Sequence, residues 1–415
     1  MDAEEATTQE RLEEIGLILG SVFTPAAPID SKKLFSGRTR QLRDVIDAIN
    51  QRGQHAIIYG ERGVGKTSLA SVLEEYLPTA GVNVIAPKVT CDSTDDYESV
   101  WRKVFNGITT VNSQRSAGLK QDVRKSIAAV SERLPATVTP YVVQDLLSVI
   151  GAGSIAIVII DEFDRLAGNG NSALFADTIK TLSDHAVPAT LVLVGVADSV
   201  GQLIAEHLSI ERALVQVRMP RMSRLELNEI VEKGLETVGM KIEPVALNRI
   251  SALSQGLPHY THLLALLASR VAIDYAQLTI IESHVLEAVQ MAVERAQQTI
   301  VSGYHRATMS ARSDHLYKQV LLASAMAKGD DLGYFAAGDL RKPMTLIMRK
   351  PYDTPAFARH LNDFCRTGRG PILERIEEGR RVRFRFLNPL MQPFVMLRGL
   401  ADGMLPDATP IEGDA

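Results

Sequence analysis

Apolar runs and the polar positions between them divide the first half of the chain into alternating strands and helices. Uninterrupted apolar residues lie at 56–59, 155–160 and 191–194. Such short runs are typical of strands that are buried on both faces of a sheet. Helical periodicity is clearest at 67–76 and 173–184. Because strands alternate with helices, the pattern predicts an α/β fold with a parallel sheet.

Beyond residue 223 the apolar positions recur with helical spacing. The pattern predicts helices at 225–238, 243–254, 263–274 and 281–297. We therefore expect a helical lid domain after the α/β core.

The order of predicted elements changes again near residue 313. Helices at about 313–328, 334–341 and 354–366 precede two short strands, 372–376 and 382–386. Three helices followed by a hairpin are typical of a winged helix, a variant of the helix-turn-helix. This order predicts a separate C-terminal winged-helix domain.

The apolar run at 56–59 leads into a phosphate-binding sequence. Gly60, Gly65, Lys66 and Thr67 match the spacing G-x-x-x-x-G-K-[ST], and a helical pattern follows at once. Glycines let backbone N–H groups turn toward phosphates, and the helix N-terminus adds partial positive charge. Lys66 is expected to reach the β- and γ-phosphates of ATP or ADP. The residues expected to bind the nucleotide here are Gly60, Glu61, Arg62, Gly63, Val64, Gly65, Lys66, Thr67 and Ser68.

Two acids end the apolar run at 155–160. Asp161 and Glu162 follow the predicted strand directly, at the carboxyl end where α/β sheets bind ligands. With Thr67, Asp161 is expected to hold Mg²⁺, while Glu162 is expected to polarise the attacking water. Acids after a strand also cap helices, which is the structural alternative.

Polar residues after the run at 191–194 are further catalytic candidates. Asp198 or Ser199 is placed to sense a γ-phosphate, although Asp198 could equally cap a helix that reaches about residue 206. Arg212 precedes a short predicted strand and could reach a γ-phosphate in its own or a neighbouring subunit. A surface arginine is the alternative for Arg212.

The segment before the first predicted helix is a candidate for contact with the nucleotide base. Phe35, Gly37 and Arg38 precede a helical pattern at 41–51. In phosphate-loop ATPases this segment can pass over the base. Ordinary packing against the core is the alternative.

Composition and charge indicate a cellular location and a class of binding partner. The chain has 415 residues, two cysteines without metal-ligand spacing and no apolar run long enough to cross a bilayer, so we expect a cytoplasmic protein. Its formal net charge is −4, but residues 311–400 hold 16 Lys and Arg against 9 Asp and Glu. A basic C-terminal third predicts contact with nucleic acid.

Basic residues of the predicted winged helix are the candidates for duplex DNA binding, with docking of a protein partner as the alternative. Phe384 and Phe386 alternate with Arg383 and Arg385, so the arginines are expected on one strand face and the phenylalanines inward. The DNA-binding candidates are Arg359, Arg366, Arg380, Arg381 and Arg383.

In this order the motifs resemble the AAA+ ATPases of the origin-recognition (Orc/Cdc-type) initiator group and their relatives, the STAND signalling ATPases. The shared motifs are 34–38, 60–67, 160–164, 195–198, Arg212, 256–258 and the C-terminal domain. Gly256-Leu257-Pro258 looks more like the STAND pattern, which makes Pro258 a nucleotide-binding candidate, although a proline also suits the first turn of a helix.

The resemblance implies a nucleotide-driven switch with slow ATP hydrolysis, closed with ADP and assembling with ATP. We expect the nucleotide state to control self-assembly and DNA binding through the winged helix. A regulatory adaptor whose winged helix docks a protein is the alternative. The expected domains are an N-terminal helix and connector (1–33), a P-loop ATPase core (34–220), a helical lid (221–305), a winged helix (306–402) and an acidic tail (403–415).

Overall fold

The computed structural model describes residues 3–76, 83–114, 127–128, 130, 134–152, 154–166, 170–204, 210–310, 315–378 and 381–405. They form two compact units. The sheet unit comprises Pro28–Glu61 and Gly65–Met219. The helical unit comprises Met1–Ala27, Arg62–Val64 and Pro220–Ala415. Residues 406–415, most of the predicted acidic tail, lie outside the described ranges.

A parallel sheet forms the centre of the sheet unit. Its strands are β1 His55–Gly60, β2 Asn83–Ile85, β3 Lys88–Thr90, β4 Ser154–Asp161, β5 Ala189–Val196 and β6 Leu214–Arg218. Their order is β2, β4, β5, β1 and β6, and β3 also pairs with β4. β4 and β5 are buried along nearly their whole length, which confirms the strands predicted from the apolar runs.

The edge position beside β4 is divided between two short strands. The pattern at 81–91 predicts one strand, but Pro87 lies between β2 and β3 and has no N–H to donate. The carbonyl of Pro87 still accepts a hydrogen bond of 3.0 Å from the N–H of Ile159. The sheet therefore has five parallel strand positions, one of them interrupted.

Helices cover the sheet and enclose an aromatic core. Among the described residues, the longer helices of this unit are Thr39–Asn50, Lys66–Tyr76, Tyr97–Gln114, Pro140–Gly151 and Asn171–Asp184. Trp101 is fully buried and stacks on Phe175 with 6.1 Å between ring centroids. Phe163 meets Phe175 edge to face at 5.0 Å. This core fixes the segment that directly follows β4 and its acids.

The helical unit contains the four helices predicted after residue 223, which are Arg224–Val238, Pro244–Ser254, Pro258–Asp274 and Glu282–Glu294. It also contains the N-terminal helix Ala3–Val22, the helix Gln298–Thr308 and the short parallel strands β7 Lys241–Ile242 and β8 Thr279–Ile280. Ser223 and Glu226 form a capping box at the start of Arg224–Val238. Within the described ranges, no helix is both long enough and apolar enough to span a membrane.

The C-terminal part of the helical unit has a small antiparallel sheet among its helices. In chain order the elements are Tyr317–Met326, β9 Phe335–Ala336, Arg341–Met348, Thr354–Phe364, β10 Leu373–Glu378, β11 Arg381–Phe386 and Met391–Ala401. β11 pairs with both β10 and β9. The predicted hairpin is present.

The helix predicted at 334–341 is wrong. Phe335 instead pairs with Phe384 of β11 in the small sheet, and both rings are buried. The α-helix starts only at Arg341, after a 3₁₀ turn at Ala337–Leu340. Burial of Phe335 in a long-range strand pair therefore outweighs the local helical preference.

Candidate nucleotide-binding site

The glycine-rich loop follows β1, an interior strand of the sheet. β1 lies between β5 and β6, and it ends at Gly60. The backbone φ of Gly60 is 153°, and a Cβ on this residue would lie 2.4 Å from the carbonyl oxygen of Met219. Only glycine fits where the chain turns from strand into loop.

Lys66 begins the helix that follows the loop, and its side chain folds back onto the loop backbone. Its Nζ donates to the carbonyl oxygens of Gly60 and Glu61 at 2.9 and 2.7 Å. The residue is buried, so these carbonyls hold its ammonium group in place. Lys66 is therefore oriented across the loop, beside the N-terminus of a helix that favours anions.

Thr67 and Asp161 meet at the carboxyl end of β4. Thr67 Oγ1 lies 3.4 Å from Asp161 Oδ1, which also accepts from the N–H of Glu162 at 2.9 Å. Asp161 Oδ2 lies 3.5 Å from Lys88 Nζ. The structure thus brings together the hydroxyl and the carboxylate that the sequence predicts as metal ligands.

Glu162 lies beside this pair in an unusual backbone conformation. Its φ is 55°, in the left-handed region that non-glycine residues rarely adopt. Its carboxylate forms an ion pair of 2.7 Å with Arg165 Nε and is about half exposed. Unlike the buried Asp161, Glu162 therefore keeps a partly solvent-exposed carboxylate.

The donor set at this edge of the sheet fits Mg²⁺. A hydroxyl and a carboxylate supply the hard oxygen ligands that Mg²⁺ prefers, and Mg²⁺ commonly completes its shell with phosphate oxygens and water. In the part of the chain that the structure describes, no group of three or more His, Cys, Asp or Glu could hold a metal. Thr67 and Asp161 would therefore share the ion with a nucleotide.

The two remaining catalytic candidates lie at opposite edges of the sheet. Asp198 follows β5 at the carboxyl edge, and its N–H donates to Gln202 Oε1 at 2.8 Å. A 3₁₀ turn, Val200–Gln202, comes next in place of an α-helix N-terminus, and residues 205–209 lie outside the described ranges. Arg212 precedes the amino end of β6, where it lies 3.4 Å from Asp184 and is mostly exposed. The structure does not bring Arg212 to the loop of its own sheet.

The segment at 34–38 is buried against the helix that follows the phosphate loop. The Phe35 ring meets Tyr76 edge to face at 6.5 Å between centroids. Arg38 is buried, with φ of 58°, at the N-terminal end of helix Thr39–Asn50. Ser68 accepts a hydrogen bond of 3.1 Å from the N–H of Ile29. The connector is therefore tied to the helix that carries the phosphate loop.

Pro258 is the first residue of helix Pro258–Asp274 in the helical unit. Gly256 has φ of 78°, and its carbonyl accepts from the N–H of Met222 at 2.9 Å. The Gly-Leu-Pro sequence thus makes the turn into the helix.

Arg383 and Arg385 of β11 have partners that the sequence did not reveal. Arg383 forms an ion pair with Asp330. Arg385 pairs with Glu374 at 2.7 Å and lies over the Tyr334 ring, 4.4 Å from its centroid. The predicted alternation is present, with Phe384 and Phe386 buried, but ion pairs engage both arginines. Arg381 is exposed, and Arg380 lies outside the described residues.

Exposed arginines instead lie on and after helix Thr354–Phe364. The side chain of Arg359 is 90% exposed and that of Arg366 is 75% exposed. Both approach Asp363, at 3.9 and 3.4 Å, and Tyr317 donates to the same carboxylate at 2.9 Å. With Arg375 they line an open cleft of about 480 Å³. Two of the predicted DNA-binding candidates, Arg359 and Arg366, therefore line the same cleft.

Three functional candidates escaped prediction from the sequence. Lys88 and Arg165 contact the two acids through their side chains. Arg218 ends β6 in register with Tyr59, next to the loop. A basic residue at the carboxyl end of a parallel strand was the available signal for Arg218. Lys88 had no such local signal.

Known proteins resemble the chain over most of its length. A family model, Novel STAND NTPase 1 (nSTAND1), matches residues 27–331. An ORC1-type DNA replication protein of Thermoplasma volcanium is 24% identical over 269 residues, which cover 61% of this chain and 61% of that relative. The aligned part thus spans less than two thirds of the relative's length.

The chain is also similar to solved structures of low sequence identity, one of which has a TM-score above 0.5. The Walker-type ATPase PABY2304 of Pyrococcus abyssi has a TM-score of 0.51 at 14% identity and covers 90% of this chain and 99% of its own. The Aeropyrum pernix Orc1 protein in complex with DNA has a TM-score of 0.45 at 16% identity, with 92% and 97% covered. The predicted resemblance to Orc-like and STAND P-loop ATPases is confirmed. By the match of its family model, the chain belongs to the Novel STAND NTPase 1 family of P-loop NTPases.

Proposed function

We propose that the protein is a Mg²⁺-dependent ATPase that acts as a conformational switch, and that its nucleotide state controls assembly and duplex DNA binding. Residues 306–402 would act as a winged helix. The observation that carries the proposal is the meeting of Thr67 Oγ1 and Asp161 Oδ1 beside the loop that orients Lys66.

Phosphate binding would use groups that the fold already orients. The loop backbone and the N-terminus of helix Lys66–Tyr76 offer N–H groups to the phosphates. Lys66 would exchange its bonds to the Gly60 and Glu61 carbonyls for bonds to phosphate oxygens. Thr67 and Asp161 would hold Mg²⁺, which supplies positive charge on the phosphates when bound.

Hydrolysis would depend on Glu162. Its carboxylate is the acceptor for a proton from the attacking water, and it has to give up its ion pair with Arg165 to act. Because Arg165 competes for this carboxylate, slow hydrolysis is expected. Slow hydrolysis suits a switch, since the ATP-bound state then lasts.

Residues outside the phosphate loop would make further contacts with the nucleotide. Asp198 would sense the γ-phosphate because it follows β5 at the carboxyl edge. Phe35 and Arg38 would lie near the base, and Pro258 would contact the nucleotide as the STAND pattern implies. Arg212 lies at the amino edge, so any contact it makes with a γ-phosphate would be in a neighbouring subunit.

DNA binding would centre on helix Thr354–Phe364. Arg359 and Arg366 expose their guanidinium groups there, and Asp363 keeps both on one surface. Arginines of this kind bind DNA phosphates. The name of the relative, an ORC1-type DNA replication protein, also points to DNA.

The pairing of the wing arginines favours the second candidate, a regulatory adaptor. Arg383 and Arg385 are engaged by Asp330 and Glu374, so the wing offers less positive charge to DNA than the sequence suggests. In that case residues 306–402 would dock a protein partner, and ATP hydrolysis would reset the switch.

The salt dependence of duplex DNA binding separates the two candidates. The slope of log affinity against log salt should be clearly negative for the wild type. Arg359→Ala/Arg366→Ala should reduce its magnitude by about 2, because each phosphate contact contributes roughly 0.9. The measurement is a fluorescence anisotropy titration at several salt concentrations.

Arg270→Ala/Arg295→Ala is the matched control, since it removes two exposed arginines elsewhere in the helical unit. This variant should keep the wild-type slope. A wild-type slope near zero, or equal slopes in the two double variants, would favour the adaptor.

A further inference from the structure

A lysine outside the recognised motifs reaches the carboxylate that is expected to hold Mg²⁺. Lys88 begins β3, and its Nζ lies 3.5 Å from Asp161 Oδ2. The other oxygen of the same carboxylate, Oδ1, faces Thr67 Oγ1 at 3.4 Å. An ammonium group and a hydroxyl therefore contact opposite oxygens of Asp161.

Strand pairing and one helical turn hold Lys88 in this position. Thr90 of β3 pairs with Asp161 of β4, and Lys88 lies two residues earlier, so its side chain leaves the same face of the sheet. Ser71 lies one turn after Thr67 on the loop helix. Its Oγ accepts from Lys88 Nζ at 2.8 Å and donates to the Thr67 carbonyl at 2.8 Å.

Burial of Asp161 strengthens its electrostatic interaction with Lys88. The Asp161 side chain is 4% exposed and that of Lys88 is 30% exposed. A carboxylate so removed from water needs a compensating charge. In the described structure, Lys88 is the cation that contacts Asp161.

We propose that Lys88 is the internal counter-ion of the metal site. Its ammonium balances Asp161 when Mg²⁺ is not bound, so nucleotide phosphates can enter without the metal, and Mg²⁺ has to compete with the ammonium for Asp161. The inference rests on the proposed function, because it concerns the same phosphate site. Lys88 acts here through Asp161, as a positioning residue.

The consequence is a weak dependence of nucleotide affinity on Mg²⁺. Without Lys88, the uncompensated Asp161 carboxylate would repel the phosphates until Mg²⁺ neutralised it. Removing the lysine charge should therefore weaken nucleotide binding in EDTA and lower the Mg²⁺ concentration that restores it. Affinity in saturating Mg²⁺ should change little.

The test compares the Kd of a ribose-labelled fluorescent ADP in excess EDTA and in excess Mg²⁺. Lys88→Gln keeps a donor for Ser71 but removes the charge. It should raise the ratio of the Kd in EDTA to the Kd in Mg²⁺ about tenfold over the wild type. Lys180→Gln removes an exposed lysine from the same unit and should leave the ratio unchanged. In an Asp161→Asn background, Lys88→Gln should have no further effect on the ratio.

Two results would overturn the proposal. One is an unchanged ratio in Lys88→Gln. The other is an equal loss of affinity in EDTA and in Mg²⁺, which would mean that Lys88 binds phosphate directly. Circular dichroism checks the fold, and Lys88→Met, which keeps the aliphatic stem, has to show the same rise in the ratio. A wild type that binds no ADP in either condition would refute the proposed function as well, whereas normal ADP binding with an unchanged ratio refutes only the role of Lys88.

Discussion

At the scale of single residues, the two acids after β4 are held differently and so suit different tasks. Asp161 is buried and is contacted by Thr67 and Lys88, which suits a fixed ligand. Glu162 is about half exposed and forms an ion pair with Arg165. An exposed carboxylate can exchange its partner for water, as a general base must.

Glu162→Gln should therefore separate ATP binding from hydrolysis. The amide cannot accept a proton from water, so the single-turnover rate of ATP hydrolysis should fall about 10²- to 10⁴-fold. ATP affinity should stay within about twofold of the wild type, because Glu162 lies outside the phosphate loop. The measurements are phosphate release and a nucleotide-binding titration.

Glu211→Gln serves as the control, since it removes an exposed acid elsewhere in the sheet unit. It should hydrolyse ATP like the wild type. Hydrolysis by Glu162→Gln at the wild-type rate would show that another group activates the water.

At the scale of elements, the sequence predicts what is local and misses what depends on pairing. β4 and β5 were predictable because burial on both faces forces continuous apolar runs. The phosphate loop was predictable because its chemistry needs a fixed local spacing. β9 has only two residues, and its place depends on β11, almost fifty positions later in the chain. No local pattern can reveal such a strand.

The same limit applies to the candidate sites. Lys88 approaches Asp161 only because β3 lies next to β4. The ion pair of Arg383 could not be predicted because Asp330, its partner, is far away in the sequence. Asp161 itself was predictable, because a buried strand that ends in acids is a local signal.

The end of β1 gives a direct prediction about stability. Gly60→Ala should destabilise the sheet unit by about 2–4 kcal/mol, because its Cβ would lie 2.4 Å from the Met219 carbonyl oxygen and its φ is 153°. Urea unfolding followed by circular dichroism measures the change in the free energy of unfolding.

Gly107→Ala is the control for the sheet unit. Its Cβ would make an ordinary contact of 3.5 Å with Pro87, and alanine is the better helix former by about 0.5–1 kcal/mol. Equal stability of Gly60→Ala and Gly107→Ala would mean that β1 and Met219 are further apart than described.

At the scale of the whole molecule, each unit contains a buried neutral histidine. Burial lowers the pKa of His55, in the sheet unit, from 6.5 to about 4. Burial, together with nearby His259, lowers the pKa of His262, in the helical unit, to about 4 as well. Both units should therefore lose stability in mild acid.

The direction of this pH dependence follows from the proton affinities of the folded and unfolded states. The unfolded chain binds a proton at His55 below about pH 6.5 and the folded protein only below about pH 4. The stabilisation is thus complete above pH 6.5 and is lost as the pH falls toward 4, by about 3 kcal/mol in total. His55 Nδ1 accepts from the N–H of Leu191 at 2.9 Å, a bond that an asparagine oxygen can imitate.

His55→Asn should therefore flatten the dependence of unfolding free energy on pH. Between pH 6.5 and 5 the variant should lose about 2 kcal/mol less than the wild type. Urea unfolding at a series of pH values measures this. His185→Asn changes an exposed histidine and should keep the wild-type profile. If His55→Asn also kept the wild-type dependence of unfolding free energy on pH, His55 would not be neutral in the folded protein.

The proposed switch requires that the nucleotide bound at the phosphate loop controls DNA binding by residues 306–402. The most direct measurement is the affinity for duplex DNA with ADP and with a non-hydrolysable ATP analogue, both in Mg²⁺. We expect at least a fivefold difference between the two affinities, in the range of ordinary allosteric coupling of about 5- to 150-fold. Lys66→Ala should abolish this difference. Equal DNA affinity in the two nucleotide states, or a difference that survives in Lys66→Ala, would show that nucleotide binding at the loop does not control DNA binding.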